Sequence, residues 1–124
     1  MARHNDTGKK GEQLAAAWLQ EHGYSILHMN WRYSHYEIDI IASRFHTLHF
    51  IEVKTRNNLT FGYPEESVTR KKFSNLMNAA AEFMFQYPQW NRVQYDVLSI
   101  TKIKEKPLEY FLIEDVYYPS TGSG

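Results

Sequence analysis

Two strand-like runs carry charge where a half-buried sheet has little room for it. Glu37-Ile38-Asp39-Ile40-Ile41-Ala42 and Leu48-His49-Phe50-Ile51-Glu52-Val53-Lys54 are rich in β-branched and aromatic residues, and Ser43 to Thr47 between them has turn character. The pattern predicts an antiparallel hairpin. With Arg44, Phe45, His46 and Thr47 as a four-residue loop, Ser43 pairs with Leu48. Counting back then sets Ile41 against Phe50, Asp39 against Glu52 and Glu37 against Lys54. Side chains alternate with period two, so the four charged groups share one face.

Carboxylates opposed across a strand pair repel, and a cation or a proton between them removes the repulsion. Mg²⁺ and Mn²⁺ prefer oxygen ligands and keep several waters. Asp39, Glu52 and the main-chain carbonyl of Val53 therefore form a suitable sphere, completed by phosphate oxygens of a substrate. Lys54 would stand beside the ion as a compact positive charge that holds a phosphate or orients an attacking water. This is the chemistry of phosphodiester hydrolysis. The same alternation also fits a sheet with one solvated face, on which Glu37 and Lys54 make a cross-strand ion pair. The hairpin alone leaves both readings open.

Helical spacing runs from about Asp6 to His22, with Asn5 or Asp6 as the N-cap and Gly23 as the stop. Leu14, Ala15, Trp18 and Leu19 define the buried stripe. At roughly 100° per residue, Glu12 lies on its margin, while Lys9, Gln13, Ala17 and Gln20 point away. A lone glutamate in a first turn is ordinarily a solvated residue favoured by the helix dipole. Beside Asp39 and Glu52 it becomes a third acid.

Downstream of the hairpin, Asn57 to Ser67 reads as a loop carrying Gly62 and Pro64, either a plain connector or a cover over substrate. From about Thr69 to Tyr87, Phe73, Leu76, Met77, Ala80, Phe83, Met84 and Tyr87 form one apolar stripe, capped by Ser67 and ended by Pro88. Arg92–Thr101 and Leu108–Val116 read as two further strands joined around Lys104 to Pro107. The expected fold is α/β: a mixed β-sheet of about five strands flanked by helices, in the order α-β-β-β-α-β-β. Residues 1–118 would form one domain and the Ser/Gly-rich residues 119–124 a disordered tail.

A chain of 124 residues, 43% hydrophobic, can bury one core without staples. The absence of cysteine excludes disulfides and thiolate metal sites and suits a reducing compartment. With a polar start and no long apolar run, a soluble, cytoplasmic protein is expected. Zero net charge argues against a strongly electrostatic nucleic-acid binder. Setting aside Glu12, Glu37, Asp39 and Glu52 as metal-facing leaves 10 of the 14 acids against 14 bases. Lys9, Lys10, Lys54, Arg56, Arg70, Lys71 and Lys72 are the candidates for phosphate contact. The six histidines, His35, His46 and His49 among them, match no ligand spacing. Trp31, Tyr33 and Tyr36 are either ordinary packing or a stacking platform for bases.

Glu12 on a first helix, Asp39 on a second strand and Glu52-x-Lys54 on a third resemble the metal site of the restriction-endonuclease-like superfamily, with spacing similar to archaeal Holliday junction resolvases. A closer likeness spans Gly8 to about Ile100. Gly11-Glu12-Gln13-Leu14-Ala15, Gly23-Tyr24, Asn30-Trp31-Arg32, Glu37 to Ala42, Phe50 to Arg56, Phe61 to Glu66 and Tyr95-Asp96-Val97 are, in that order, similar to the YraN family of bacterial proteins.

The resemblance implies a small nuclease-like domain with Glu12, Asp39, Glu52 and Lys54 as catalytic residues and Glu37 as a supporting acid. It also implies Mg²⁺ or Mn²⁺ as cofactor and DNA as partner. A homodimer and association with recombination or repair proteins follow by analogy. The chain departs from the family at Tyr36, where relatives usually carry glycine. That tyrosine would fill space beside the site, stacking on a base or narrowing access to DNA, unless it is simply an aromatic at a strand start. The leading expectation is a metal-dependent nuclease acting on branched or structured DNA. The alternative is a nucleic-acid-binding module of recombination or repair with little or no turnover.

Overall fold

The structure, a computed structural model, describes residues 2–57 and 70–116, with side chains from residue 10 onward. The elements run α1 (Ala2–Glu21), β1 (Ser25–Tyr33), β2 (Tyr36–Arg44), β3 (Thr47–Arg56), α2 (Arg70–Gln86), β4 (Val93–Thr101) and β5 (Glu109–Ile113). The strands form one sheet in the order β1-β2-β3-β4-β5, antiparallel throughout except between β3 and β4. A parallel pair needs a crossover, and α2 lies within the segment that supplies it. The expected mixed five-stranded sheet and element order are therefore present. The expected loop from Asn57 and the Ser67 cap fall, beyond Asn57 itself, outside the described residues, as does the tail.

α1 starts earlier than its cap residues suggested. Asn5 and Asp6 lie inside the helix rather than at its N-cap. A capping preference of order 1 kcal/mol does not stop another turn from forming upstream. The far end behaves as expected: Gly23 has φ 91°, its N–H donates to Gln20 O (3.2 Å), and Tyr24 N–H donates to Leu19 O (3.0 Å). These two bonds make a Schellman stop, which only glycine enters without a Cβ penalty. α1 buries Ala15 and Leu19 against Ile40, Ala42, Ile51 and Leu98, with Leu14 and Trp18 at the margin.

The opposite face of the sheet receives α2. Ala79, Ala80 and Phe83 pack on Ile38, Ile41, Leu48 and Phe50, and Phe83 makes T-shaped contacts with Phe50 and Trp31. Each such large apolar side chain stabilises the fold by ~1.5–3 kcal/mol when fully buried. Met77, expected in this stripe, is instead 49% exposed, because the burying face runs through Phe73, Ala79, Ala80 and Phe83.

The β2–β3 register is as counted: Ser43 pairs with Leu48 and Ile41 with Phe50. The connection is shorter than expected, since Arg44 also pairs with Thr47. Phe45 and His46 alone make the turn, at φ 53° and 63°. Two consecutive positive φ values mark the primed turn whose twist matches a hairpin, even without Asn or Gly. The strand ladder, not the turn residues, dictates its geometry.

Candidate metal and phosphate site

β2 and β3 part company just past the core. Their last registered pair is Ile40 with Ile51, so Asp39 and Glu52 stand where the ladder has opened. Val53 N–H, which would otherwise lose its partner there, donates to Asp39 Oδ2 at 2.9 Å. The opening coincides with a change of face. Ile40 and Ala42 point to α1, yet Ile38 joins Ile41 on the α2 side, so the alternation breaks at Asp39. Opposite, β1 turns at Asn30 (φ 53°), which has no registered partner, and Asn30 Nδ2 donates to Glu12 Oε1 at 2.7 Å. The cleft between the separating strands can thus be lined from both helices.

That cleft, ≈ 420 Å³, brings together Glu12 from α1, Glu37 and Asp39 from β2, and Glu52, Val53 and Lys54 from β3. Every residue expected in the catalytic or metal set therefore borders one space. α2 contributes Lys72, Asn75 and Leu76, the β1–β2 turn contributes His35, and the start of β2 contributes Tyr36. Gly11 sets how closely α1 approaches: a Cβ there would stand 2.7 Å from Thr55 Cγ2 on β3. Glycine at this position lets the next residue, Glu12, reach the cleft.

Acid crowding dominates the electrostatics. Burial, with the nearby charges of Glu12, Glu52 and Glu37, pushes the Asp39 carboxyl up to about 7 from an ordinary 3.8, despite the opposing hydrogen bond from Val53. Glu52 is only 8% exposed. Its Oε2 accepts from Lys54 Nζ (2.8 Å) and from Lys72 Nζ, while its Oε1 is buried without a hydrogen-bond partner among the described residues. Burial pulls the Lys72 ammonium down, but its hydrogen bond to Glu52 and the charges of Glu52 and Asp39 outweigh this and raise it above its ordinary value.

The expected Glu37–Lys54 pair does not form. Lys54 turns to Glu52 on its own strand, and Glu37 faces Arg32 of β1 at 3.9 Å. The cause is the open ladder, because beyond Ile40 and Ile51 the two strands no longer hold opposed residues together. Of the expected nucleic-acid contacts, Tyr36 and Lys72 border the cleft. Lys10, Arg70 and Lys71 are exposed elsewhere, Arg56 is half-buried outside it, and the Lys9 side chain lies outside the described residues. The basic run Arg70-Lys71-Lys72 predicts phosphate contact, whereas the structure sets Lys72 against Glu52. Its signal was helical spacing, since Lys72 lies four residues before Leu76 and seven before Ala79 on the inward face.

The donor set suits a hard divalent cation. Glu52 Oε1 is an orphaned buried acceptor, and the acids around Asp39 repel one another without a cation. Among the described residues, no three His, Asp or Glu side chains already surround a shared cation position. A separate polar pair occupies the α1 face of the sheet. His49 Nδ1 lies 2.7 Å from Asp96 Oδ2, both side chains nearly fully buried, with Tyr24 edge-on to the imidazole. Gln94 Nε2 and Asp115 N–H, each at 3.0 Å, satisfy the other Asp96 oxygen. Trp31 packs in the core against Phe83, whereas Tyr33 and Tyr36 stay near the surface. No helix among the described residues is long and apolar enough to cross a membrane.

Among solved structures, the Holliday junction resolvase Hjc of Archaeoglobus fulgidus is similar over 83% of this chain and 74% of its own, at 17% identity and a TM-score of 0.48. A UPF0102 protein of Bacteroides thetaiotaomicron is 43% identical over 100 residues, 81% of this chain and 83% of the relative. One from Flavobacterium psychrophilum is 40% identical over 119 residues, covering 95% and 98% of the two chains. With the family model also matching residues 11–100, which include every acid of the cleft, the chain belongs to the uncharacterised protein family UPF0102.

Proposed function

We propose that the protein is a metal-dependent nuclease that hydrolyses phosphodiester bonds in branched or otherwise structured DNA. The observation that carries this reading is the convergence of Glu12, Asp39, Glu52 and Lys54 on one cleft where the sheet splits, with Glu52 Oε1 unpartnered. Asp39 and Glu52, with the Val53 carbonyl, would hold Mg²⁺ or Mn²⁺, and Glu12 and Glu37 would support it. A bound divalent ion supplies Lewis-acid stabilisation of phosphate charge and a water of lowered pKa.

The protein's own groups do the remainder. Lys54, fixed on a central strand and already 2.8 Å from Glu52, steadies charge that develops on the phosphate. Asn30 aims the Glu12 carboxylate through its 2.7 Å hydrogen bond. Val53 N–H fixes the rotamer of Asp39. Tyr36 and His35, with ring centroids 4.3 Å apart, offer aromatic faces at the mouth of the cleft for an unstacked base. Association with recombination or repair proteins, and homodimer formation, belong to the same reading.

The test is cleavage of labelled duplex, single-stranded, flapped and four-way-junction DNA in Mg²⁺ or Mn²⁺. Wild type is compared with Asp39→Ala and Lys54→Ala proteins confirmed to be folded. Metal-dependent cutting lost in both variants is the expected result and identifies the substrate shape. Binding without cutting would replace the nuclease with a nucleic-acid-binding module.

A further inference from the structure

Among the described residues, Glu52 receives two ammonium groups on one oxygen and no hydrogen bond on the other. Two ammonium groups meet one carboxylate oxygen, where each repels its neighbour and either alone would neutralise that acid. The two differ in how they are held. Lys54 rises from a strand paired on β4, its side chain 26% exposed, whereas Lys72 extends from the first turn of α2 and is 40% exposed. Asp39 lines the same cleft. The Lys72 ammonium therefore lies against one of the two carboxylates that the nuclease reading assigns to a divalent ion, in the space that the other also borders.

We propose that Lys72 is a built-in counter-ion for Glu52: its ammonium holds the carboxylate until a divalent cation takes that place, and the displaced side chain then contacts a phosphate of the DNA. The inference rests on the proposed metal site and adds its loading order. A divalent ion carries twice the charge of an ammonium, and held by Glu52 and Asp39 it would outcompete a flexible lysine. The displaced ammonium, on a four-carbon stem, stays within reach of the same cleft. Metal loading and DNA binding are thereby coupled, since the cation that enters releases a positive charge for the substrate.

The experiment is Mn²⁺ titration of DNA-free protein by electron paramagnetic resonance, using wild type, Lys72→Met, Lys72→Arg and Asp39→Ala. Each variant is first shown to be folded by circular dichroism. Lys72→Met is expected to bind Mn²⁺ about two- to fivefold more tightly, the range for losing one partly exposed competing ion pair, and Lys72→Arg to stay near wild type. In Mn²⁺ at a temperature that suppresses cleavage, Lys72→Met should bind flapped DNA several-fold more weakly and lose about one unit of salt slope. Opposite signs for metal and DNA are what a merely structural lysine would not produce. Wild-type Mn²⁺ binding that Asp39→Ala abolishes, with Lys72→Met equal to or weaker than wild type, overturns the counter-ion role and leaves the metal site intact. No Mn²⁺ binding to wild type or to Lys72→Met overturns both.

Discussion

The crowding around Asp39 makes metal-free stability depend on pH in a way that one substitution isolates. The Asp39 carboxyl is pushed up to about 7 from 3.8 by burial and by Glu12, Glu52 and Glu37. A folded-state value above the unfolded one means stability that is fully present below the unfolded value, near pH 4, and is lost as pH rises through about 7. At ~1.36 kcal/mol per pH unit the full displacement corresponds to about 4 kcal/mol; partial solvent access to Asp39 reduces this to roughly 2 kcal/mol. Asp39→Asn removes the charge and keeps an oxygen to accept from Val53 N–H. In EDTA, the variant should match wild type near pH 3, below the unfolded value, and exceed it by roughly 2 kcal/mol at pH 8.5, or about 5–10 °C in Tm for a domain of this size. Urea denaturation of both proteins across that range measures the difference directly, because every other titrating group is common to the two. Mg²⁺ should narrow the gap at pH 8.5 by stabilising wild type alone. A gap that stays constant from pH 3 to 8.5 would refute the crowding argument.

Three further outcomes follow from the packing. Asp96→Ala strands the buried His49 and removes an acceptor from Gln94 and the Asp115 N–H, and should cost about 3 kcal/mol in urea unfolding, while Mn²⁺ affinity at the cleft changes little. Gly11→Ala gains up to ~1 kcal/mol of helix propensity but drives a Cβ into Thr55 Cγ2, so a net loss of about 1–2 kcal/mol is expected. The double variant with Thr55→Ala should recover that stability, as thermal denaturation of the two would show. Glu52→Gln leaves Lys54 and Lys72 facing each other without their shared carboxylate. A loss of about 1–3 kcal/mol is expected, with Mn²⁺ binding by electron paramagnetic resonance falling at least tenfold.

The two helices and the central hairpin were legible because each rests on periodicity and on local chemistry. The stripe through Ala15 and Leu19, the Gly23 stop and the Ile41–Phe50 register are all set by neighbours in sequence. What misled was local too: Asn5 and Asp6 have the chemistry of a cap, and Arg44 to Thr47 the polarity of a loop, yet a longer helix and a longer ladder formed. Met77 matched the apolar spacing but turned outward, since the exact azimuth of a helix against a sheet depends on the residues it meets.

At the cleft, local spacing identifies the chemically capable residues: three acids and a lysine placed so that a helix and two strands can present them together. The partners of those residues were decided only in three dimensions. The strands separate after Ile40 and Ile51, so Asp39 takes the Val53 amide, Glu37 turns to Arg32 and Lys54 turns to Glu52. Lys72 arrives from a helix on the far face, 20 residues along the chain from Glu52. A strand's alternation reports which face a side chain takes while the ladder persists. Where the ladder opens, backbone groups seek new partners and side chains from distant elements enter, and no local pattern in the sequence encodes that choice.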